Sequence, residues 1–281
     1  MGSVIDTLIK KYGFSREEFL VITESGHLMD DEITDTPALL TVEGMIRDGD
    51  MQYSDIVGSS NYCIHPKFLS YNLERSLSLM KLSTIDVNLL SLPVQNIAVE
   101  HNSKEIEYRI SKAFEFYEEM ILVNKLKSYG ISTTEGHFSF EDSNVGNSKM
   151  RLTKEENQFY KQFIKASKGM PMHKILEIAH NVGGRYHGFR YIFSPFSCDM
   201  VKSMCAENIS MGFNLGEEGK IEKAENVTLM DFCTRNSMNF IGQHHKYKVN
   251  NETIAVNITD SQYRKFFSVL KNAISYYPAA R

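Results

Sequence analysis

Serine and histidine side chains are the residues of this sequence that could most directly do chemistry. Ser91 follows a run of apolar residues, and His65 or His101 could serve it as the base of a nucleophilic pair. A nucleophilic serine of this kind often lies in a tight Gly-x-Ser-x-Gly turn, and no such turn surrounds Ser91. The sequence therefore favours a hydroxyl at the end of a strand over a nucleophile.

Two short motifs could bind a metal ion or a phosphate group. His244 and His245 are potential ligands, but adjacent residues of a strand point to opposite faces and rarely hold one ion. Gly183 and Gly184 form a glycine pair without the Lys-Ser or Lys-Thr that completes a phosphate loop. We expect a solvated loop at the histidines, tight packing at the glycines and no metal site.

The composition narrows the class of protein. The 281 residues are 42% hydrophobic, which suffices for one large core. Basic residues number 31 and acidic residues 35, so the formal net charge of -4 gives no reason to expect a nucleic-acid partner. We also expect no membrane span, because no apolar run is long enough to cross a bilayer.

The cysteines indicate the compartment. None of the four belongs to a CxxC pair or to a zinc-type spacing with histidine. They are Cys63, Cys198, Cys205 and Cys233. We interpret them as reduced, mostly buried thiols, which predicts an intracellular protein of the cytoplasm or an organellar matrix. The chain shows no clear targeting signal.

Helix and strand patterns alternate along most of the chain. Apolar residues at helical spacing predict helices, and short continuous apolar runs predict strands that are buried on both faces. The predicted helices cover 3–12, 66–81, 105–123, 154–166, 170–181 and 227–236, and a last helix ends near 275. The predicted strands cover 19–23, 85–90, 127–132, 188–193, 238–242 and 254–258. This order is typical of parallel βα units.

Five stretches of the sequence carry a resemblance to a known family. They are YNLERSL at 71–77, IDVNLL at 85–90, AFEFYE at 113–118, KSYGIST at 127–133 and NVGGRYHGFR at 181–190. Together they resemble the barrel of the aldo-keto reductase superfamily. The C-terminal half is most similar to a branch of longer, uncharacterised reductase-like proteins.

The resemblance implies an α/β fold, namely a degenerate (β/α)8 TIM barrel in a single domain over 1–281. Such a barrel has eight strands, whereas the pattern yields about six, and the first two are expected to be missing. Two polar stretches, 27–62 and 138–168, are predicted insertions. The strands at 19–23 and 254–258 would then be open edges, which proteins usually cover, pair or charge.

The catalytic residues of this superfamily do not carry over. The family uses a Tyr as general acid, with Lys, Asp and His beside it, and NADPH supplies the hydride. The places of the Asp and Tyr fall before the first residue, Glu24 stands in the place of the Lys, and Ser91 stands in the place of the His. A carboxylate would raise the pKa of a nearby phenol, and a hydroxyl cannot perform the proton chemistry of an imidazole near neutral pH.

The cofactor contacts of the superfamily are mostly replaced as well. Ser132 matches the serine that holds the nicotinamide amide, but Thr133 follows it where an Asn is usual. Phe193 stands in the place of a Gln, and Asp260 would repel the 2′-phosphate of NADPH. We therefore expect no bound cofactor and regard Ser132 as a vestigial binding residue.

These replacements predict a catalytically inactive pseudoenzyme that acts as a structural or interaction subunit of a larger assembly. Protein partners are expected to cover the open edges of the barrel. The alternative is an NADPH-dependent aldo-keto reductase, an oxidoreductase with an altered active site, or an incomplete gene product. A module that binds a small molecule at the barrel mouth without chemistry is a third possibility.

Overall fold

The computed structural model describes residues 2–31, 35–57, 62–91, 103–132, 172–195, 209–214, 221–243, 248–249 and 252–253. The α-helices in these ranges are α1 Gly2–Tyr12, α2 Ala38–Arg47, α3 Pro66–Met80, α4 Ser103–Leu122, α5 Met172–Gly183 and α6 Leu229–Arg235. The strands are β1 Ile22–Ser25, β2 Ile56–Val57, β3 Tyr62–Cys63, β4 Ile85–Ser91, β5 Leu126–Ser132, β6 Phe189–Pro195, β7 Ile209–Asn214, β8 Ile221–Val227, β9 Asn239–Gln243, β10 Lys248–Val249 and β11 Glu252–Thr253.

Five strands form the main sheet, in the order β1-β4-β5-β6-β9. β1 pairs with β4, and β4 with β5, in parallel. Along the chain, α3 comes between β1 and β4, α4 between β4 and β5, and α5 between β5 and β6. This is the arrangement of a partial (β/α)8 barrel, and the predicted α/β fold class is confirmed.

The chain divides into two compact units. The first comprises Met1–Ser132 and Ile175–Tyr191, and the second comprises Thr133–Lys174 and Ile192–Arg281. The strand ends that carry Glu24, Ser91 and Ser132 all belong to the first unit. The single domain over 1–281 stays a prediction.

Strand β4 is the centre of the core of the first unit. All seven of its residues are buried, as expected for a parallel strand that is covered on both faces. Asp86 of this strand accepts hydrogen bonds from Arg16 at 2.7 Å and from the Val21 N–H at 2.8 Å, and it pairs with Lys127 at 2.7 Å. These contacts join the beginnings of β1, β4 and β5.

The same contacts determine the charge state of Asp86. Burial acts to raise the pKa of its carboxyl group, but the hydrogen bonds from Lys127, Val21 and Arg16 outweigh burial, so the pKa lies below its ordinary value. The carboxylate is therefore charged across the neutral range. Its charge holds two cations that come from different elements.

Strand β1 begins later than its sequence pattern predicts. A strand is predicted over 19–23, whereas β1 spans Ile22–Ser25. A 3₁₀ turn covers Arg16–Glu18, and the Arg16 side chain donates to the carbonyl oxygen of Phe19 at 2.9 Å. The first apolar residues of the run therefore lead into the strand instead of forming its first half.

The other predicted elements within the described residues begin and end within two residues of the observed ones. Local signals account for this agreement at α3, where Pro66 occupies the first turn and His65 Nδ1 accepts the N–H of Lys67 at 3.3 Å. Lys81 ends the helix with a left-handed φ of 55°. The predicted helix 154–166, the insertion 138–168, the strand 254–258 and the last helix lie outside the described residues.

Residues 27–62, a predicted polar insertion, contain a helix and a small hairpin. Helix α2 and the antiparallel pair β2–β3 share a small core with the beginning of α3. Its buried members are Leu28, Ala38, Val42, Met51, Cys63 and Phe68. The pattern does not predict α2, because Leu39 and Leu40 are each 56% exposed and blur the helical spacing of the buried residues.

The second unit contains an antiparallel hairpin that the βα pattern does not predict. Its strands β7 and β8 pair from Ile209 with Val227 to Asn214 with Ile221. Helix α6 follows and begins with a capping box, in which Thr228 Oγ1 accepts the N–H of Asp231 at 3.1 Å. No helix in the described ranges is long and apolar enough to cross a membrane.

Replacing Asp86 by Asn is expected to lower the free energy of unfolding at pH 7 by on the order of 3 kcal/mol, because partly buried Arg16 and exposed Lys127 both lose a buried anionic partner. The loss should shrink below about pH 4. The stabilisation by a carboxyl group of depressed pKa is present above its ordinary value of 3.8 and disappears as the pH falls through the folded value. Urea denaturation of both proteins measures the difference.

A matched control is Asp6→Asn, which removes an ion pair with Lys10 whose side chains are 43% and 74% exposed. Its expected effect on the free energy of unfolding is close to zero. Equal losses in the two variants would show that Asp86 is no more important than a surface charge.

His187, directly before β6, is a buried titratable group. It is 3% exposed, its ring meets the ring of His180 edge-on at 4.5 Å between centroids, and its Nδ1 has no hydrogen-bond partner among the described residues. Burial, followed by the charges of His180 and Arg190, lowers the pKa of His187 to about 4. The folded chain therefore keeps this imidazole neutral.

This pKa predicts a pH dependence of stability. The unfolded chain takes up a proton at His187 near pH 6.5, whereas the folded chain does so only near pH 4. The contribution of His187 is therefore full above pH 6.5 and is lost as the pH falls through this window. Urea denaturation at several pH values gives the slope of the free energy of unfolding against pH. His187→Gln should reduce this slope, and replacement of the exposed His27 by Gln should not. An unchanged slope in His187→Gln would contradict this assignment.

Candidate functional site

The three strand-end positions singled out in the sequence lie on one face of the sheet. Successive residues of a strand point to opposite faces. On β4, Asn88 contacts α4, so Ser91, three positions further on, faces away from the helices. On β5, Tyr129 stacks on the same helix, so Ser132 also faces away. Glu24 is in register with a residue of β4 that faces away too. The structure thus brings the three together on the face that forms the inside of a barrel.

Ser91 and Ser132 are direct neighbours. They are register partners on β4 and β5, strands that lie about 4.8 Å apart in a sheet. Both are buried, with 8% and 5% of their surface exposed. Glu24 lies on the other side of β4 and is exposed. Two hydroxyl groups can orient a polar group by hydrogen bonds, but hydroxyl groups alone supply no general acid or base near neutral pH.

A buried polar network on the helix side holds these strand ends. Asn88 Nδ2 donates to Thr23 Oγ1 and to Ser25 Oγ, both at 3.0 Å, and the Tyr117 hydroxyl donates to Asn88 Oδ1 at 2.9 Å. All four side chains are buried. A buried polar group that loses its partner costs about 1–3 kcal/mol, so the network favours a single register of β1 against β4.

Two buried tyrosines close to the sheet do not replace the general acid of the superfamily. Tyr117 and Tyr129 are both 0% exposed and lie on the helix side. Tyr117 donates its hydroxyl hydrogen to Asn88, and Tyr129 donates to Glu118 Oε1 at 2.9 Å. Burial above all raises the pKa of both phenols. A catalytic phenol needs a lowered pKa and access to substrate, and these two have neither.

The described residues do not fit the contacts that the superfamily makes with NADPH. Ser132 offers a hydroxyl group, half-buried Phe193 offers no hydrogen bond in place of an amide, and Glu24 brings a negative charge. Asp260, which would repel the 2′-phosphate, and the two histidines His244 and His245 lie outside the described residues. Within the part that is described, no three His, Cys, Asp or Glu side chains come together as a metal site. The lack of a cofactor stays a prediction.

Glu24 also lies on the strand at the end of the sheet. Within the described ranges β1 pairs with β4 alone, so the backbone groups on its other side have no strand partner there. Proteins protect such edges by keeping them short and by adding charges that point inward. β1 has four residues, of which Glu24 is the exposed one. We interpret Glu24 as a charge that limits unspecific pairing at this edge.

A cleft of about 410 Å³ in the first unit is a site that the sequence analysis missed. It lies between the turn at 49–55, the beginning of α3 and one side of α4. Helix α4 lines it with Glu105, Tyr108, Arg109 and Lys112. Their spacing is visible on the predicted helix 105–123, but no sequence signal shows that residues 49–55 lie opposite.

The fold and these positions define a partial α/β barrel with hydroxyl and carboxylate groups at its strand ends. No protein-family model and no curated protein matches the chain. The chain is similar to the structure of a proposed aldo-keto reductase from Pseudomonas aeruginosa, with a TM-score of 0.41 and 9% identity over 96% of this chain and 63% of the other.

Two further solved structures are similar. One is also a proposed aldo-keto reductase from Pseudomonas aeruginosa, with a TM-score of 0.34 and 8% identity over 86% of this chain and 67% of the other. The other is the aldose reductase from Schistosoma japonicum, with a TM-score of 0.29 and 10% identity over 72% of this chain and 53% of the other. Two of the three carry the name of the superfamily that the sequence resembles. The chain spans less than two thirds of the first structure, and no activity is transferred from any of them.

Replacing Glu24 by Val is expected to increase self-association, because the edge of β1 loses its inward charge and gains a residue of high strand propensity. Analytical ultracentrifugation over a range of protein concentrations measures the effect. Glu24→Lys is the matched control, since it keeps a charge at the same place and should remain as dispersed as the unmodified chain. Equal association of the two variants would rule out a protective role of the charge.

Proposed function

We propose that this chain is an aldo-keto-reductase-like protein without reductase activity that acts as a structural or interaction subunit. One observation carries the proposal, namely that Glu24 and Ser91 occupy the strand ends where the superfamily keeps Lys and His. A carboxylate there opposes ionisation of a phenol, and a hydroxyl cannot transfer protons as an imidazole does. The commitment of Tyr117 and Tyr129 to buried hydrogen bonds supports the same conclusion.

The side of β1 that has no strand partner in the described ranges supports a role in binding a protein partner. An added strand satisfies the backbone groups of an edge, and this is a common way to recognise an extended segment. Glu24 makes such pairing selective, because it disfavours a purely apolar strand and favours one with Lys or Arg opposite it. We therefore propose a partner whose extended segment carries a basic residue at that position.

Two thiols support an intracellular location. Cys63 and Cys233 are free and buried. Burial above all raises the pKa of each thiol to about 12, so neither is reactive as a thiolate at neutral pH. Unpaired, inert cysteines are the usual state in a reducing compartment.

The proposal is tested by fluorescence titration of the purified chain with NADPH, with Glu24→Lys in parallel and an active aldo-keto reductase as positive control. No binding is expected for the unmodified chain at several hundred micromolar cofactor, because a single retained hydroxyl at Ser132 supplies only a small part of the binding energy. Glu24→Lys is also expected not to bind, since one restored cation leaves the other contacts unmade.

Saturable binding by the unmodified chain would overturn the proposal and favour the alternative of an NADPH-dependent oxidoreductase with an altered active site. Binding by Glu24→Lys alone would show that one charge excludes the cofactor from a site that is otherwise intact. In that case the cofactor site would be intact apart from one charge, and the other replacements would affect catalysis alone.

A further inference from the structure

The cleft beside α4 combines an apolar floor with a charged wall. Met51 and Ile64 line it and are 4% and 3% exposed, and Pro66 borders it at the first turn of α3. Its volume of about 410 Å³ is at the lower end of the range for small-molecule sites. The space suits a ligand of about ten heavy atoms.

Arg109 is held in one position at the wall of the cleft. Its Nε donates to Glu105 at 2.8 Å, its Nη2 donates to the Ser54 carbonyl oxygen at 3.0 Å, and its Nη1 lies 3.5 Å from Asp55 Oδ1. The side chain is 13% exposed. A guanidinium group has five N–H bonds, so two of them have no protein acceptor in the described part of the chain. A fixed cation with two spare donors is preorganised to receive a carboxylate.

Other side chains of the cleft also keep hydrogen-bond donors. Lys112 Nζ donates to Glu115 at 2.6 Å and lies 5.8 Å from the centre of the Tyr108 ring, which leaves two of its three N–H bonds. His65 Nδ1 accepts the N–H of Lys67, so Nε2 is the ring nitrogen that carries a proton in the neutral form. The Tyr108 residue is 59% exposed and offers an aromatic face.

The carboxylates of the cleft are engaged by the chain itself. Asp55 Oδ2 accepts the Gln52 N–H at 2.8 Å, and Asp50 Oδ2 pairs with Lys67 Nζ at 2.9 Å. The lining residues and their ion-pair partners carry a formal charge of -1. The acidic ones are Asp50, Asp55, Glu105 and Glu115, and the basic ones are Lys67, Arg109 and Lys112. The cleft thus has spare donors together with a small excess of negative charge.

From this combination we propose that the cleft binds a zwitterion, a free α-amino acid, at a site separate from the strand ends of the sheet. The spare donors of Arg109 and Lys112 receive the carboxylate, and the negative excess attracts the ammonium group. An apolar side chain lies against Met51 and Tyr108. A pure anion is opposed by the net charge, and a pure cation leaves the donors of the wall unused.

The test uses three probes on the full chain: L-leucine, 4-methylpentanoate and 3-methylbutylamine. The last two are leucine without its ammonium group and without its carboxylate. Leucine is expected to shift the amide signals of residues 49–55 and 105–112 in nuclear magnetic resonance spectra and to bind at least about tenfold more tightly than either half. The proposal would be overturned if either half bound as tightly as leucine or more tightly. It would also be overturned if leucine did not bind at about 10 mM.

Variants locate the site. Lys112→Gln removes the positive charge of a donor at a side chain that is 42% exposed, and Asp50→Asn removes a negative charge at one that is 40% exposed, so neither should affect folding. Each is expected to weaken leucine binding by about tenfold, the usual scale for one charged hydrogen bond. Lys104→Gln changes an exposed lysine of the same helix that does not line the cleft, and it should leave the affinity unchanged. Equal weakening in all three variants would show an unspecific effect of charge and exclude the site.

Discussion

The buried amide of Asn88 is the contact on which the arrangement of the strand ends depends. It needs both Thr23 and Ser25 from β1 and the hydroxyl of Tyr117 from α4, and these partners are available in only one register. A slip of one residue would exchange the two faces of β1 and turn Glu24 towards the helices. The polar network on one face therefore decides which groups appear on the other.

Much of the first unit could be predicted from the sequence, because local patterns decide it. The strand pattern of β4 and Pro66 at the start of α3 are local signals, and the structure follows them. The beginning of β1 could not be predicted, since it depends on where the Arg16 side chain finds acceptors at Phe19, Thr84 and Asp86. Contacts between residues that are so far apart in the sequence do not show in the spacing of its apolar residues.

The candidate sites show the same division. The strand-end positions of Ser91 and Ser132 could be named from the resemblance, and their place on one face follows from strand alternation. The exposure of Glu24 could not be foreseen, because the pattern predicts a strand that ends at residue 23, whereas Glu24 is the third residue of β1. The cleft could not be predicted from the sequence for a related reason, since the ion pair of Arg109 with Asp55 joins segments that are 54 residues apart.

The small core shared by α2, the β2–β3 hairpin and Phe68 has a consequence for how this protein can change over evolutionary time. Its buried residues pack mainly against one another, so substitutions there are absorbed locally and need not disturb β4. The turn at 49–55 that borders the cleft is carried by this segment. Related chains can therefore acquire different ligand preferences at the cleft by varying one short segment while the sheet and its strand ends stay the same.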